Sequence, residues 1–208
     1  MRAPDITRSR AYDPRLLVLL PALALALAGC SRHTALTVRA DLVPFMSVGE
    51  TQLNRAPIAP GTSYLDWPFS GSHLTNPGHS VDLTSLGAPS WALTDITAFA
   101  LTFAAQVTPS VPLAAGTATL YLAPSSASDV HAYPAVTVDT PPVAAGQTAT
   151  VSITADDATD ASALPYLRSG SFLVGAEVEV NASGSGTARV TLTHLLVTVS
   201  LPPGWGLP

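Results

Sequence analysis

Phe172-Leu173-Val174-Gly175-Ala176-Glu177-Val178-Glu179-Val180 alternates residue by residue. Phe172, Val174, Ala176, Val178 and Val180 fall on one face, and Gly175, Glu177 and Glu179 on the other. A period of two is the signature of a strand with one face on a core and the other toward water. Glu177 and Glu179 are then expected on a solvated face, though paired carboxylates on one strand could also do acid–base work on a glycoside.

The same period recurs outward from this stretch. Leu36, Val38, Ala40 and Leu42 alternate with polar residues until Pro44. Phe99, Leu101, Phe103, Ala105 and Val107 share a face, as do Ala118, Leu120 and Leu122, and Ala149, Val151 and Ile153. Short strands are expected at 81–83 and 135–139. Asn181 to Gly186 reads as a glycine-serine hairpin loop. The last strand, 187–201, carries a slip: Val190 and Leu192 hold one phase, and Leu195, Val197, Val199 and Leu201 the opposite one. One extra residue near Thr193-His194, a β-bulge, restores the apolar set to a single face.

Between 156 and 170 the pattern changes. Asp156, Asp157 and Asp160 are helix-cap residues, and Pro165 starts a turn that Gly170 stops. Residues 44–78 are rich in proline and glycine, yet a structureless loop of that length is rare inside one domain, so a strand is expected around 62–67. Eight or more strands without a long helical pattern predict an all-β antiparallel β-sandwich, jelly-roll-like, with an immunoglobulin-like order as the alternative.

The irregular stretch carries most of the chemistry. Tyr64, Trp67, Phe69 and Trp91 form an early aromatic set; flat rings stack on sugars, so a glycan-binding surface is one reading and core packing the other. His73 and His79 share the stretch with Asp66 and Asp82, a donor set that suits zinc, although the spacing matches no familiar motif. Asp156, Asp157 and Asp160 could hold calcium, but the EF-hand spacing is absent. His131 lies among proline-bounded loop residues, and His194 sits beside the expected bulge. Ser185 is not a nucleophile elbow, since Ser183 occupies the first glycine position of the Gly-x-Ser-x-Gly pattern. No catalytic set is legible, no phosphate loop appears, and a hydrolase is the weakest of the functional readings.

Only 11% of the residues are charged, against about 25% in ordinary domains. The chain has no lysine, and its net charge is −5. An acidic, lysine-free surface argues against nucleic acid and against polybasic docking to membranes.

Cys30 is the single cysteine. It follows Arg8, Arg10 and Arg15 and an apolar run from Leu16 to Ala28 that Pro21 interrupts. Basic, apolar and small-residue regions in that order make a secretory signal, too short for a span of about 20 residues. Leu27-Ala28-Gly29-Cys30 resembles the lipobox of bacterial lipoproteins. The resemblance implies cleavage between Gly29 and Cys30 and a diacylglyceryl group on the Cys30 thiol. It further implies an acylated new amino terminus, and acyl chains such as palmitate together form a stable anchor. Ser31 resembles the residue that directs such proteins to an outer membrane, where the source has one. With its thiol acylated, Cys30 leaves no disulfide and no cysteine metal site.

The expected layout is a signal peptide at 1–29, an acylated tether at 30–35, one sandwich at 36–201 and a loose tail at 202–208. The expected function is that of an exported, membrane-anchored lipoprotein with a structural or binding role at the cell envelope. Its partners are the membrane through Cys30, and a glycan or an envelope protein.

Overall fold

The computed structural model describes residues 36–70, 72–88 and 90–202. Gly29 and Cys30, with the signal and tether, lie outside them, as does most of the expected tail. Residues 37–201 make one unit. Among the described residues no helix is long and apolar enough to cross a membrane.

Among the described residues, ten antiparallel strands build two five-stranded sheets. They are β1 (Leu36–Asp41), β2 (Gln52–Ile58), β3 (Gly61–Trp67), β4 (His79–Asp82), β5 (Ala98–Pro109), β6 (Leu113–Pro124), β7 (Pro134–Thr140), β8 (Ala149–Asp156), β9 (Ser171–Ala182) and β10 (Gly186–Leu201). The first sheet runs β1-β10-β5-β8, with β2 also on β10; the second runs β3-β9-β6-β7, with β4 also on β9. Short strands thus share one edge of each long one. Counting β1 with β2, and β3 with β4, the orders become first-eighth-third-sixth and second-seventh-fourth-fifth, the order of a jelly roll. That order excludes the immunoglobulin-like alternative.

The core lies between the sheets. Phe99, Leu101, Phe103, Ala105 and Val107 of β5 are all buried, as are Phe172, Val174, Ala176, Val178 and Val180 of β9. Each large side chain removed from water in this way contributes about 1.5–3 kcal/mol before entropy is counted.

The phase slip in β10 is a bulge. Leu192 pairs with Ala105 and His194 with Ala104, leaving Thr193 as the extra residue. Val190, Leu192, Leu195, Val197 and Val199 are therefore all buried. Asp41 clasps the bulge: its Oδ1 accepts from the N–H groups of Val43 (3.2 Å) and Leu195 (3.3 Å), and its Oδ2 lies 2.8 Å from His194 Nδ1. Partial burial alone would raise the Asp41 carboxyl. The bonds from His194, Val43 and Leu195 outweigh it and hold the carboxyl below its ordinary value.

Two elements depart from the sequence reading. The 181–186 segment is not a hairpin, because β9 and β10 belong to different sheets. It arches from one layer to the other. Strict alternation says that each strand has one buried face, and an arch meets that requirement as well as a hairpin does. The second departure is β2, whose weak pattern buries only Ala56 and Ile58. It pairs with β10 alone, and at such an edge Pro57 is tolerated because one side of the strand needs no donor.

The 156–170 stretch forms two short turns, Ala161–Ala163 and Leu164–Arg168. Gly170 follows at φ +88°, a left-handed conformation that suits glycine.

Candidate functional site

The site lies on the outer face of the second sheet, where one glycine makes room for it. β3 presents Tyr64 and Asp66 outward, β9 presents Glu177 and Glu179, and β6 presents Thr119 and Tyr121. Asp66 and Thr119 are the direct cross-strand partners of Glu177, one on either side. Tyr121 pairs with Gly175. At that position the outer face has no side chain, and the segment joining β6 to β7 settles onto it. A Cβ on Gly175 would lie 2.5 Å from Val130 Cγ2 and 3.5 Å from Asn76 Nδ2. Val130 packs there with Tyr121, Ala123 and Leu173 in a small core outside the sandwich.

Asn76 ties this cover down. Its side chain is fully buried. Nδ2 donates to the Trp67 carbonyl at 3.1 Å, and Oδ1 accepts from the Gly78 N–H at 2.9 Å. Its carbonyl accepts from Val130 N–H at 2.8 Å, while its N–H donates to Asp129 Oδ1 at 3.1 Å. Asp129 also caps the turn Val130–Ala132 by accepting from His131 N–H. These backbone donors hold the Asp129 carboxyl below its ordinary value.

His131 is thereby set over the two strand carboxylates. Its Nδ1 lies 3.0 Å from Asp129 Oδ1. Its Nε2 lies 3.7 Å from Asp66 Oδ1 and 3.6 Å from Glu177 Oε2. The Asp66, Glu177 and His131 side chains are only 8, 11 and 17% exposed, so water does little to screen them. Burial first, and then the neighbouring Glu177, push the Asp66 carboxyl up to about 6. The same two causes push the Tyr121 hydroxyl up to about 12. Asp66 Oδ1 and His131 Nε2 are sealed from solvent and bond to nothing. His73 closes one side: its ring stacks on Tyr64 with centroids 3.4 Å apart, and its Nδ1 lies 2.7 Å from Glu177 Oε2.

Glu177 is therefore not on a solvated face. The alternation sends it outward correctly, but the cover anchored on Gly175 and Asn76 buries it. Nor is Glu179 the acid beside it that matters; Asp66, from another strand, is. His73 and His79 do not form a common metal site. His73 stacks on Tyr64 on the outer face, whereas His79 lies against Trp67 on the inner one, near Glu50, and burial lowers its basicity. Asp82 bonds the N–H and hydroxyl of Thr84. Asp156 accepts from Ala158 and Thr159, Asp157 from Phe99 N–H, and Asp160 from Ser162. Asp156 and Asp160 thus face their own turn, and Asp157 faces the start of β5.

The aromatic set is divided as well. Trp67 is buried, packs against Phe103, and donates its Nε1–H to the Glu50 carbonyl at 2.8 Å. Tyr64 faces outward and is covered by His73. Phe69 is half-buried, and Trp91 is 59% exposed. Tyr64 and Trp67 therefore share no surface.

Sequence reasoning passed over Asp129 and gave His131 no role. One signal was available. A glycine on the outer side of an otherwise regular strand marks the close approach of another backbone, and Gly175 is such a residue.

No protein-family model matches the chain, and no curated protein does. Solved structures similar to it come from virus particles. For infectious bursal disease virus, Gx strain, identity is 10%, the match covers 82% of this chain and 36% of that one, and the TM-score is 0.35. For the empty particles of cowpea mosaic virus the values are 15%, 76%, 45% and 0.29. For broad bean stain virus they are 14%, 82%, 92% and 0.28. The chain spans about a third of the length of the first of these.

Proposed function

We propose that the chain is an exported lipoprotein whose acylated Cys30 holds a jelly-roll sandwich at an envelope membrane, where it acts by binding. Leu27-Ala28-Gly29-Cys30, closing a basic-then-apolar leader, carries this reading. Cys30 is also the one thiol in the chain, so acylation takes nothing from the fold.

The division of the aromatic residues supports a binding surface other than a strip of sugar-stacking rings, since the central ring, Trp67, is spent on the core. The outer-face cluster around Glu177 is the better-built recognition feature. Its side chains come from three separate parts of the chain, and Asn76 and Asp129 hold the segment that carries His131.

The test is fractionation. In a bacterial host, Cys30→Ser is expected to leave the sandwich folded and move the protein from the membrane fraction to the soluble one. Retention of the variant on membranes after a carbonate wash contradicts the anchor.

A further inference from the structure

We propose that Asp66, His131 and Glu177 form a binding site for a divalent transition metal ion of the zinc class. This inference goes beyond the lipoprotein reading and stands independently of the anchor.

The first argument is that His131 Nε2 closes on neither carboxylate. A charge-assisted bond from imidazolium to carboxylate closes to about 2.7–2.9 Å. Here His131 Nε2 stays 3.7 Å from Asp66 and 3.6 Å from Glu177. Those separations are what an ion would impose: a tetrahedral centre about 2.1 Å from each ligand spaces its donors about 3.4 Å apart. One ligand atom from each of the three residues falls within 4.8 Å of the others.

The second argument is burial without a partner. The Asp66 side chain is 8% exposed, and its Oδ1 points into the cluster unbonded. A buried polar group left unpaired is costly, and natural structures keep few of them. His131 Nε2 is the second such atom, and it faces the first.

The third argument is orientation. Metal-binding histidines characteristically give their other ring nitrogen to a carboxylate, which fixes the tautomer and turns the lone pair to the ion. Asp129 stands in that relation to His131 Nδ1, and it is itself fixed by two backbone N–H groups. Two carboxylates and one imidazole select borderline ions such as Zn2+ or Co2+ over Ca2+ and Mg2+, which prefer oxygen alone.

The experiment is a titration of the full-length chain, in detergent, with Co2+ followed by visible absorption, and with Zn2+ by calorimetry. One equivalent is expected to bind with the strong band of four- or five-coordinate cobalt, and Mg2+ is not expected to compete. Asp66→Asn, Glu177→Gln and His131→Gln are each expected to weaken binding at least 100-fold. Asp129→Asn, which keeps an acceptor for the backbone, is expected to weaken it about 10–100-fold. Asp82→Asn is expected to leave it unchanged. Circular dichroism in chelator establishes that each variant is folded. The proposal is overturned if the wild-type chain binds no better than Asp66→Asn or Asp129→Asn. It is equally overturned if the cobalt signal is that of a thiolate and disappears in Cys30→Ser.

Discussion

Asp66 Oδ1 and His131 Nε2 face each other across 3.7 Å, both sealed from solvent and neither hydrogen bonded. The fold goes to some length to set them there. Asp66 is fixed by the register of β3 on β9, and His131 by a segment laid across a glycine. Without an ion the arrangement strains the protein, because Asp66 and Glu177 bring two carboxylates together in a place that water barely reaches.

That strain gives the first prediction. In chelator at pH 8, Asp66→Asn removes one of two neighbouring charges and keeps an amide that can bond Glu177. It is expected to stabilise the protein by about 1 kcal/mol, or about 2–4 °C in melting temperature. A lower melting temperature would show that the Asp66 charge is already compensated within the protein.

Gly175→Ala tests how the cover is seated. The new methyl meets Val130, so overpacking is expected to cost about 1–3 kcal/mol. Metal affinity should fall with it, because the displaced segment carries His131. Adding Val130→Ala removes the obstructing methyls and is expected to recover part of both losses, which a double-mutant cycle measures. Full additivity of the two changes would place the damage elsewhere.

Much of the sandwich was legible because burial on one face leaves a period of two. That period located β5, β6, β8, β9 and β10 and even the extra residue in β10, since a slip of one would have exposed Leu195, Val197 and Val199. It could not separate a hairpin from an arch after β9, because both bury the same face. The site was harder to read. Its ligand side chains come from β3, a loop turn and β9, and their meeting depends on a cover whose trace in sequence is Gly175. His131 has no periodic pattern around it, and Glu177 follows the pattern of a solvated residue until that cover is in place.

Trp67 separates a core role from a recognition role. Its ring fills space against Phe103, and its N–H bonds the Glu50 carbonyl, so Trp67→Ala is expected to cost about 3–5 kcal/mol. Trp67→Phe keeps part of the volume and should cost less. Thermal melts in chelator check both. An unchanged melting temperature for the alanine variant would place the ring outside the core.

The Asp41 clasp at the bulge gives a pH dependence. Its carboxyl is held below the ordinary value in the folded state, so the stabilisation is present above the unfolded-state value, near 4. It fades as pH falls through the folded-state value. The group is partly exposed and screened, so Asp41→Asn is expected to cost only about 0.5–1 kcal/mol at pH 7. The difference from wild type should shrink as the pH is taken down to about 3. Denaturant melts at the two pH values check the sign, and a difference that grows with acid would contradict it.

The most direct measurement is a crystal of the protein grown with Zn2+, with diffraction recorded on both sides of the zinc absorption edge. The account predicts an anomalous peak about 2.0–2.2 Å from Asp66 Oδ1, His131 Nε2 and Glu177 Oε2, with Asp129 still on His131 Nδ1. A map with zinc at other residues and none among these three would contradict it.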